Sequence, residues 1–289
     1  MFKNIKTYCR GAKETTNEDA IKHSDSYLII IDGATGLSDI NVMAPLSDAE
    51  WFSHTAAETL AKKLDDPSYP TSEALVSTSK ELLAKYREQF AKQTTKDFPD
   101  NLAALPSAAM ALLREKNGAL EYWGFGDCKA FIKLKHKKGI LLEDKALENL
   151  DQQAINQMVK LSKTMSMKNA REQIADILMH NRNLQGKDGG YEAYNLYFTD
   201  PQKAAQAEFD LSEVESVSLY SDGFLDMVYT FGLINSVDDL HQDLSSGKNM
   251  DQLATKMREI QSSDSQMEKY PRFKIKDDAS AIFAIYSPK

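Results

Sequence analysis

The chain has 289 residues, 42% hydrophobic and 27% charged, with a formal net charge of -8, so it is long enough to bury a large core and too apolar to be a disordered tail. The acidic balance argues against nucleic acid or an anionic membrane as partner, since both require clustered Lys and Arg, and it suits a site that holds cations. Two cysteines, Cys9 and Cys128, are too few for a disulfide framework and lack metal-ligand spacing, which points to reduced thiols. The first thirteen residues, MFKNIKTYCRGAK, contain no apolar core of signal-peptide length, and no later run approaches ~18 apolar residues. The expectation is a soluble cytoplasmic protein, a monomer, built as a single domain over 1–289.

In chain order, residues 13–20, KETTNEDA, set Glu18 beside Asp19 in what is ordinarily a polar turn. Residues 27–31, YLIII, form a short apolar run that reads as a strand buried on both faces. Asp32 and Gly33 end it, with Gly36 following. A carboxylate at the mouth of a buried strand is costly unless a cation, a donor or water meets it. Backbone amides of an ordinary Asp-Gly turn would also serve, so this feature gains weight only because it recurs. A helical pattern runs from Asp48 to about Leu64, and a second opens at Pro70-Thr71 with Leu75, Leu82, Leu83, Tyr86 and Phe90 on one face.

Between 107 and 142 the pattern becomes an antiparallel meander. Strands are expected over 108–114 and 119–125 around an Asn117-Gly118 hairpin turn, then over 128–134, with one more after Gly139. Gly124-Phe125-Gly126 lacks the third glycine and the helix of a nucleotide fingerprint, whereas Asp127 is a second acid at a strand boundary. Residues 143–185 are charged and helical in pattern, with Leu147, Leu150, Ile155, Met158, Val159, Ile174, Ile177 and Leu178 as apolar points. They read as a helical pair inserted as a flap over about 143–190, with 181–190 as its return loop, or as a plain packed hairpin. Residues 217–220 then lead into SDGFLD, which places Asp222 and Asp226 four apart on one face near a helix N-terminus. Helical patterns over 236–246 and 249–262 precede Asp277-Asp278 and an apolar strand over 279–286.

Asp32, Asp127, Asp222, Asp226 and Asp277 are distant in sequence, yet each abuts an expected strand, so a sheet can gather them. Clustered carboxylates repel unless cations neutralise them, and an all-oxygen shell suits Mg²⁺ or Mn²⁺ rather than Zn²⁺. Two such ions acidify a shared water and clamp a phosphoryl oxygen, which is the chemistry of a phosphate hydrolase.

Five motifs, NEDA at 17–20, DGATG at 32–36, GDCKAF at 126–131, SDGFLD at 221–226 and DDAS at 277–280, resemble in order and over nearly the whole chain those of the metal-dependent type 2C (PPM) serine/threonine protein phosphatases of bacterial type. The resemblance implies an α+β fold, a four-layer α-β-β-α sandwich with two central antiparallel sheets and an inserted helical flap. It implies a binuclear Mn²⁺ or Mg²⁺ centre with a weaker third site, acting on phosphorylated Ser/Thr proteins. Carried over by residue, Asp32 bridges both metals, the Gly33 carbonyl binds the second, Asp222 and Asp277 complete the first, and Glu18 holds the second through a water. Asp127 and Asp226, with Asp222, match the third site, while Asp19 is the acid outside the ligand set. Asp32 and Asp222 are thereby the expected catalytic pair.

Two positions depart from that pattern. Glu14 stands where many members carry a phosphate-gripping arginine, leaving Lys13 and Arg10 as candidate phosphate-binding cations, and Ala34 stands where some carry a histidine acid. Pro106-Ser107-Ala108-Ala109 replaces the usual Gly-Thr/Ser-Thr-Ala segment as a structural variation. Glu14 and Ala34 keep open a catalytically weak phosphoprotein-binding or regulatory module, and a small-molecule phosphate hydrolase would share the metal centre and differ only in its pocket.

Overall fold

A computed structural model describes residues 1–37 and 40–287. The chain begins with strands β1 (Phe2–Arg10), β2 (Asp19–His23) and β3 (Tyr27–Ala34). Helices α1 (Asp48–Leu64) and α2 (Thr71–Gln93) follow, the first capped by the Ser47 hydroxyl, which accepts the Glu50 amide at 3.0 Å. The meander is β4 (Ser107–Lys116), β5 (Ala119–Phe125), β6 (Lys129–Leu134) and β7 (Ile140–Leu142). Asn117 and Gly118 take φ of 51° and 85°, the paired positive values that a two-residue hairpin turn needs. Helices α3 (Lys145–Leu161), α4 (Met167–Gln173) and α5 (Ala175–Arg182) then form the insertion. The chain closes with β8 (Tyr194–Asn195), β9 (Ala205–Asp210), β10 (Val214–Tyr220), α6 (Asp222–Tyr229), α7 (Val237–Ser245), α8 (Met250–Ser263) and β11 (Ala279–Tyr286).

Two antiparallel sheets result, one ordered β1-β11-β10-β6-β7 and the other β2-β3-β4-β5-β9, with β8 also pairing β4. The pleat of β3 explains its unbroken apolar run. Leu28 and Ile30 point between the sheets with Ala111, Leu113, Ile132, Val217 and Ile282, while Tyr27, Ile29 and Ile31 meet α1 and α2 through Phe52, Leu60 and Leu75. The opposite sheet does the same, turning Ala281 and Phe283 of β11 onto α6 to α8. The architecture is the expected four-layer α-β-β-α sandwich, and the insertion carries a small core of its own around Ala154, Met158 and Ile174.

Three departures have one physical cause or another in the tertiary structure. β1, β2 and β9 lie at sheet edges, where one or both faces meet water, so their sequences lack a clear alternation. The expected helical pair is three helices, because the Ser166 side chain caps a fresh start at the Asn169 amide and the chain bends again at Ile174. β3 also runs past Asp32, which pairs with Asp19 on β2 and Ala109 on β4 instead of standing beyond the strand's end. Among the described residues no helix is long and apolar enough to cross a membrane.

Candidate metal centre

The acids expected from sequence sit where the two sheets and α6 converge. Asp32 lies on β3, Asp127 follows β5, Asp222 opens α6 directly after β10, Asp226 lies one turn along that helix, and Asp277 precedes β11. Close backbone packing sets this end. A Cβ on Gly223 would meet the Asp278 carbonyl at 1.9 Å, and one on Gly33 would lie 2.7 Å from the Ala49 carbonyl and 2.8 Å from that of Glu18. These glycines therefore let segments approach one another more closely than any side chain would allow. Asp278 fastens the N-terminal loop to β11, its two oxygens accepting the Ala12 and Glu18 amides at 2.6 Å each. Ser221 links the layers similarly: its hydroxyl donates to Asp19 at 2.9 Å and accepts the Ser280 amide at 2.9 Å.

The electrostatics identify Asp222 as the hub. Burial first, and then the charges of Asp19 and Asp222, hold the Asp32 carboxyl well above the usual carboxylate range. Asp127 is pushed up by burial, Asp222 and Asp151, and Asp226 rises to about 7 through burial, then Asp222 and Asp277. Asp277 reaches about 6 because burial and Asp222 outweigh Lys274, and buried Asp19 reaches about 8 by burial despite its serine donors. Asp222 repels every one of these groups. A cation placed among them would relieve all at once.

Asp127, Asp222, Asp226 and Asp277 line a cavity of about 410 Å³, which Asp32 and Asp19 do not reach, together with the insertion, whose α3 presents Glu148, Asp151, Ile155 and Val159 toward it. Spacings of three and four residues put those side chains on one helix face, a signal present in the sequence but read there only as apolar points. Asp151 was not foreseen. It is raised to about 7 by burial and by Asp222, so the insertion contributes an acid of its own. Lys274, also unforeseen, donates to Asp277 at 2.7 Å.

The donor chemistry fits a hard divalent cation: the groups are carboxylates held against their own repulsion, Asp32, Asp127, Asp226 and Asp277 half-buried and Asp222 exposed, and buried Asp19 leaves its Oδ1 with no hydrogen-bond partner. Among the described residues no group of three or more Asp, Glu, His or Cys side chains is arranged to hold a metal ion, so the fit is one of chemistry and charge alone. Glu18 stands somewhat apart, accepting the Ser47 hydroxyl at 2.6 Å. Arg10 lines a different cavity with Tyr8, Asp251 and Arg258, and Lys13 sits in an exposed turn bridged to Thr16. Neither expected phosphate-binding cation lines the acidic cavity.

Solved structures share this architecture over the whole chain. The Mycobacterium tuberculosis serine/threonine phosphatase PstP/Ppp superposes with a TM-score of 0.56 at 13% identity, covering 100% of both chains. The chain has the fold of bacterial serine/threonine phosphatases. The PstP catalytic domain in complex with two manganese ions aligns at 0.54 with 13% identity over 97% of both chains. PppA, a regulatory component of the type VI secretion system (T6SS) in Pseudomonas aeruginosa, aligns at 0.53 with 13% identity over 97% of this chain and 96% of that one. Neither a family model nor a curated protein sequence matches the chain. On this phosphatase fold the acid-bearing strand ends and α6 lie together at one end of the sandwich, with the insertion beside them.

Proposed function

We propose that the protein is a metal-dependent phosphatase that hydrolyses phosphoserine and phosphothreonine on cytoplasmic proteins. The supporting observation is that acids from 32, 127, 226 and 277 all feel the charge of Asp222 at one end of a sandwich of phosphatase fold. Two Mn²⁺ or Mg²⁺ ions would supply an acidified water and the positive charge that opposes the phosphoryl oxygens. Asp32, Asp222, Asp277 and the Gly33 carbonyl would hold them, with Glu18 acting through a water and Asp127 and Asp226 offering a weaker third position.

The chain's own residues account for the rest. Asp222 is fixed as the first residue of α6, so its carboxylate is presented by a rigid element rather than a loop. Asp278 and Ser221 hold the Glu18-Asp19 segment against β11, which sets the distance between the N-terminal acids and the C-terminal ones. The α3 face closes the cavity on one side and limits water.

Hydrolysis of p-nitrophenyl phosphate and a phosphothreonine peptide should require Mn²⁺ and fall by roughly 100-fold or more in Asp222→Asn, beyond the ~10–100-fold typical of losing a mere supporting partner. Preference for the peptide over the small ester supports protein substrates, and the reverse favours a small-molecule hydrolase. Folded wild-type protein that binds Mn²⁺ and hydrolyses neither substrate would defeat the proposal in favour of a binding module.

A further inference from the structure

A phosphate ester entering this site carries up to two negative charges into a cavity walled by acids, so a cation must meet it. The cations along that cavity differ in how far they are already engaged. Lys129 is 4% exposed and donates to Glu143 at 2.8 Å and Glu148 at 2.7 Å, which consumes its charge in anchoring the insertion. Arg272 is 6% exposed and bound to the Asp264 carboxylate at 2.8 Å and to the carbonyls of Tyr270, Ile275 and Asp264. Lys269 is exposed and rests over the Tyr270 ring, so its charge is not consumed, but it makes no ion pair with any acid of the cavity.

Lys274 is different. Its side chain is 60% exposed, it lines the cavity, and it makes one hydrogen bond, to Asp277. An ammonium has three donors, so two remain for a ligand. Its contact with Asp277 brings its charge to the acids, and Asp32 and Asp222 favour its charged form as well. The turn that carries it is braced from both sides, since Arg272 Nε donates to the Ile275 carbonyl at 3.1 Å while Arg272 itself is locked onto Asp264. A buried arginine thus holds a short segment in which Lys274, exposed beside Ile275, reaches Asp277.

We infer that Lys274 is the phosphate-binding cation of the site, supplying from the segment before β11 the charge that Glu14 cannot supply from the N-terminal loop. The inference rests on the proposed phosphatase reading but is tested without turnover. A lysine is a point-charge phosphate ligand and needs no bidentate geometry, so it can serve from a position no arginine motif would mark.

Calorimetry with inorganic phosphate on the Mg²⁺-loaded protein measures this directly, comparing wild type with Lys274→Met and Lys274→Arg. Losing a hydrogen bond to a charged ligand costs about 1.5–3 kcal/mol, so Lys274→Met should weaken phosphate binding roughly 10- to 100-fold, with partial recovery in Lys274→Arg. Mg²⁺ affinity should be equal or tighter in Lys274→Met, because a competing cation is removed from Asp277. Unchanged phosphate affinity in Lys274→Met, or absent phosphate binding in the wild type, overturns the inference. A wild type that binds phosphate through Lys274 yet hydrolyses no ester would sink the phosphatase reading alone.

Discussion

The sandwich and its insertion are stabilised differently, and the contrast bears on how the site works. Between the sheets, Leu28, Ile30, Leu113, Ile132, Leu219 and Ile282 are fully buried in one continuous layer. The insertion has a core of only five fully or nearly fully buried residues, Ala154, Met158, Met167, Ala170 and Ile174. It is bound to the body by Met267 and Phe273, which pack against that small core, and by polar contacts: Lys129 to Glu143 and Glu148, and Arg182 to the Ala34 carbonyl at 3.1 Å. Five of the acids thus sit on a frame whose distortion costs core packing, while Asp151 sits on an element that can shift by exchanging hydrogen bonds with water.

The comparison breaks if both regions respond alike to cavities. Ile30→Ala should destabilise the whole protein by about 2–5 kcal/mol, seen as one lowered melting transition. Met158→Ala should leave that transition within about 1 kcal/mol and raise hydrogen exchange only across 145–182. A common shift in both variants would make the insertion part of the same cooperative unit.

The acids offer the next test. Asp277, Asp226, Asp151 and Asp19 keep their protons up to about 6, 7, 7 and 8, chiefly through burial. Unfolded carboxylates release theirs near ~4. The folded state therefore binds more protons between these limits, and the stability of the metal-free protein is fully present below the unfolded value and declines as pH rises through about 6 to 8. Melting in EDTA from about pH 5 to pH 8 should show that fall, and Mg²⁺ should flatten it. A flat profile in EDTA would mean that the acids are far less crowded than their placement indicates.

A smaller effect should follow at the joint between the regions. Lys129→Met removes a charged donor from Glu143 and Glu148, and should cost about 1–3 kcal/mol while leaving Mn²⁺ affinity unchanged. Mn²⁺ titration with melting measurements would show whether the anchor and the metal centre are separable.

What could be read early follows from this division. Asp127, Asp222 and Asp277 are legible because an acid abutting a buried apolar run is chemically unusual; Asp32 stands out for the same reason, although β3 runs past it to Ala34. Glu18 was picked by motif and is positioned by contacts that no local pattern shows, its amide on Asp278 and its carboxylate on Ser47. Arg10 and Lys13 were nominated for nearness in sequence, but β1 carries Arg10 toward α8 and away from the acidic cavity. Lys274 carries no sequence signal, and Asp151 only its helical spacing with Ile155 and Val159, since charged residues in a helix or a loop are common at any surface.

The layers are written in the chain, because strand pleating and helical periodicity are local and leave a direct pattern of burial. So are the acids that abut the central strands. Only the tertiary structure decided the edge strands, whose exposed faces carry no pattern, and the gathering of residues from 19 to 277 around Asp222. That gathering depends on long-range register, β2 against β3 and β10 against β11, and on two glycines that let backbones meet. Charge repulsion is set by distances across the fold, so the centre's electrostatics exist only once the chain has closed.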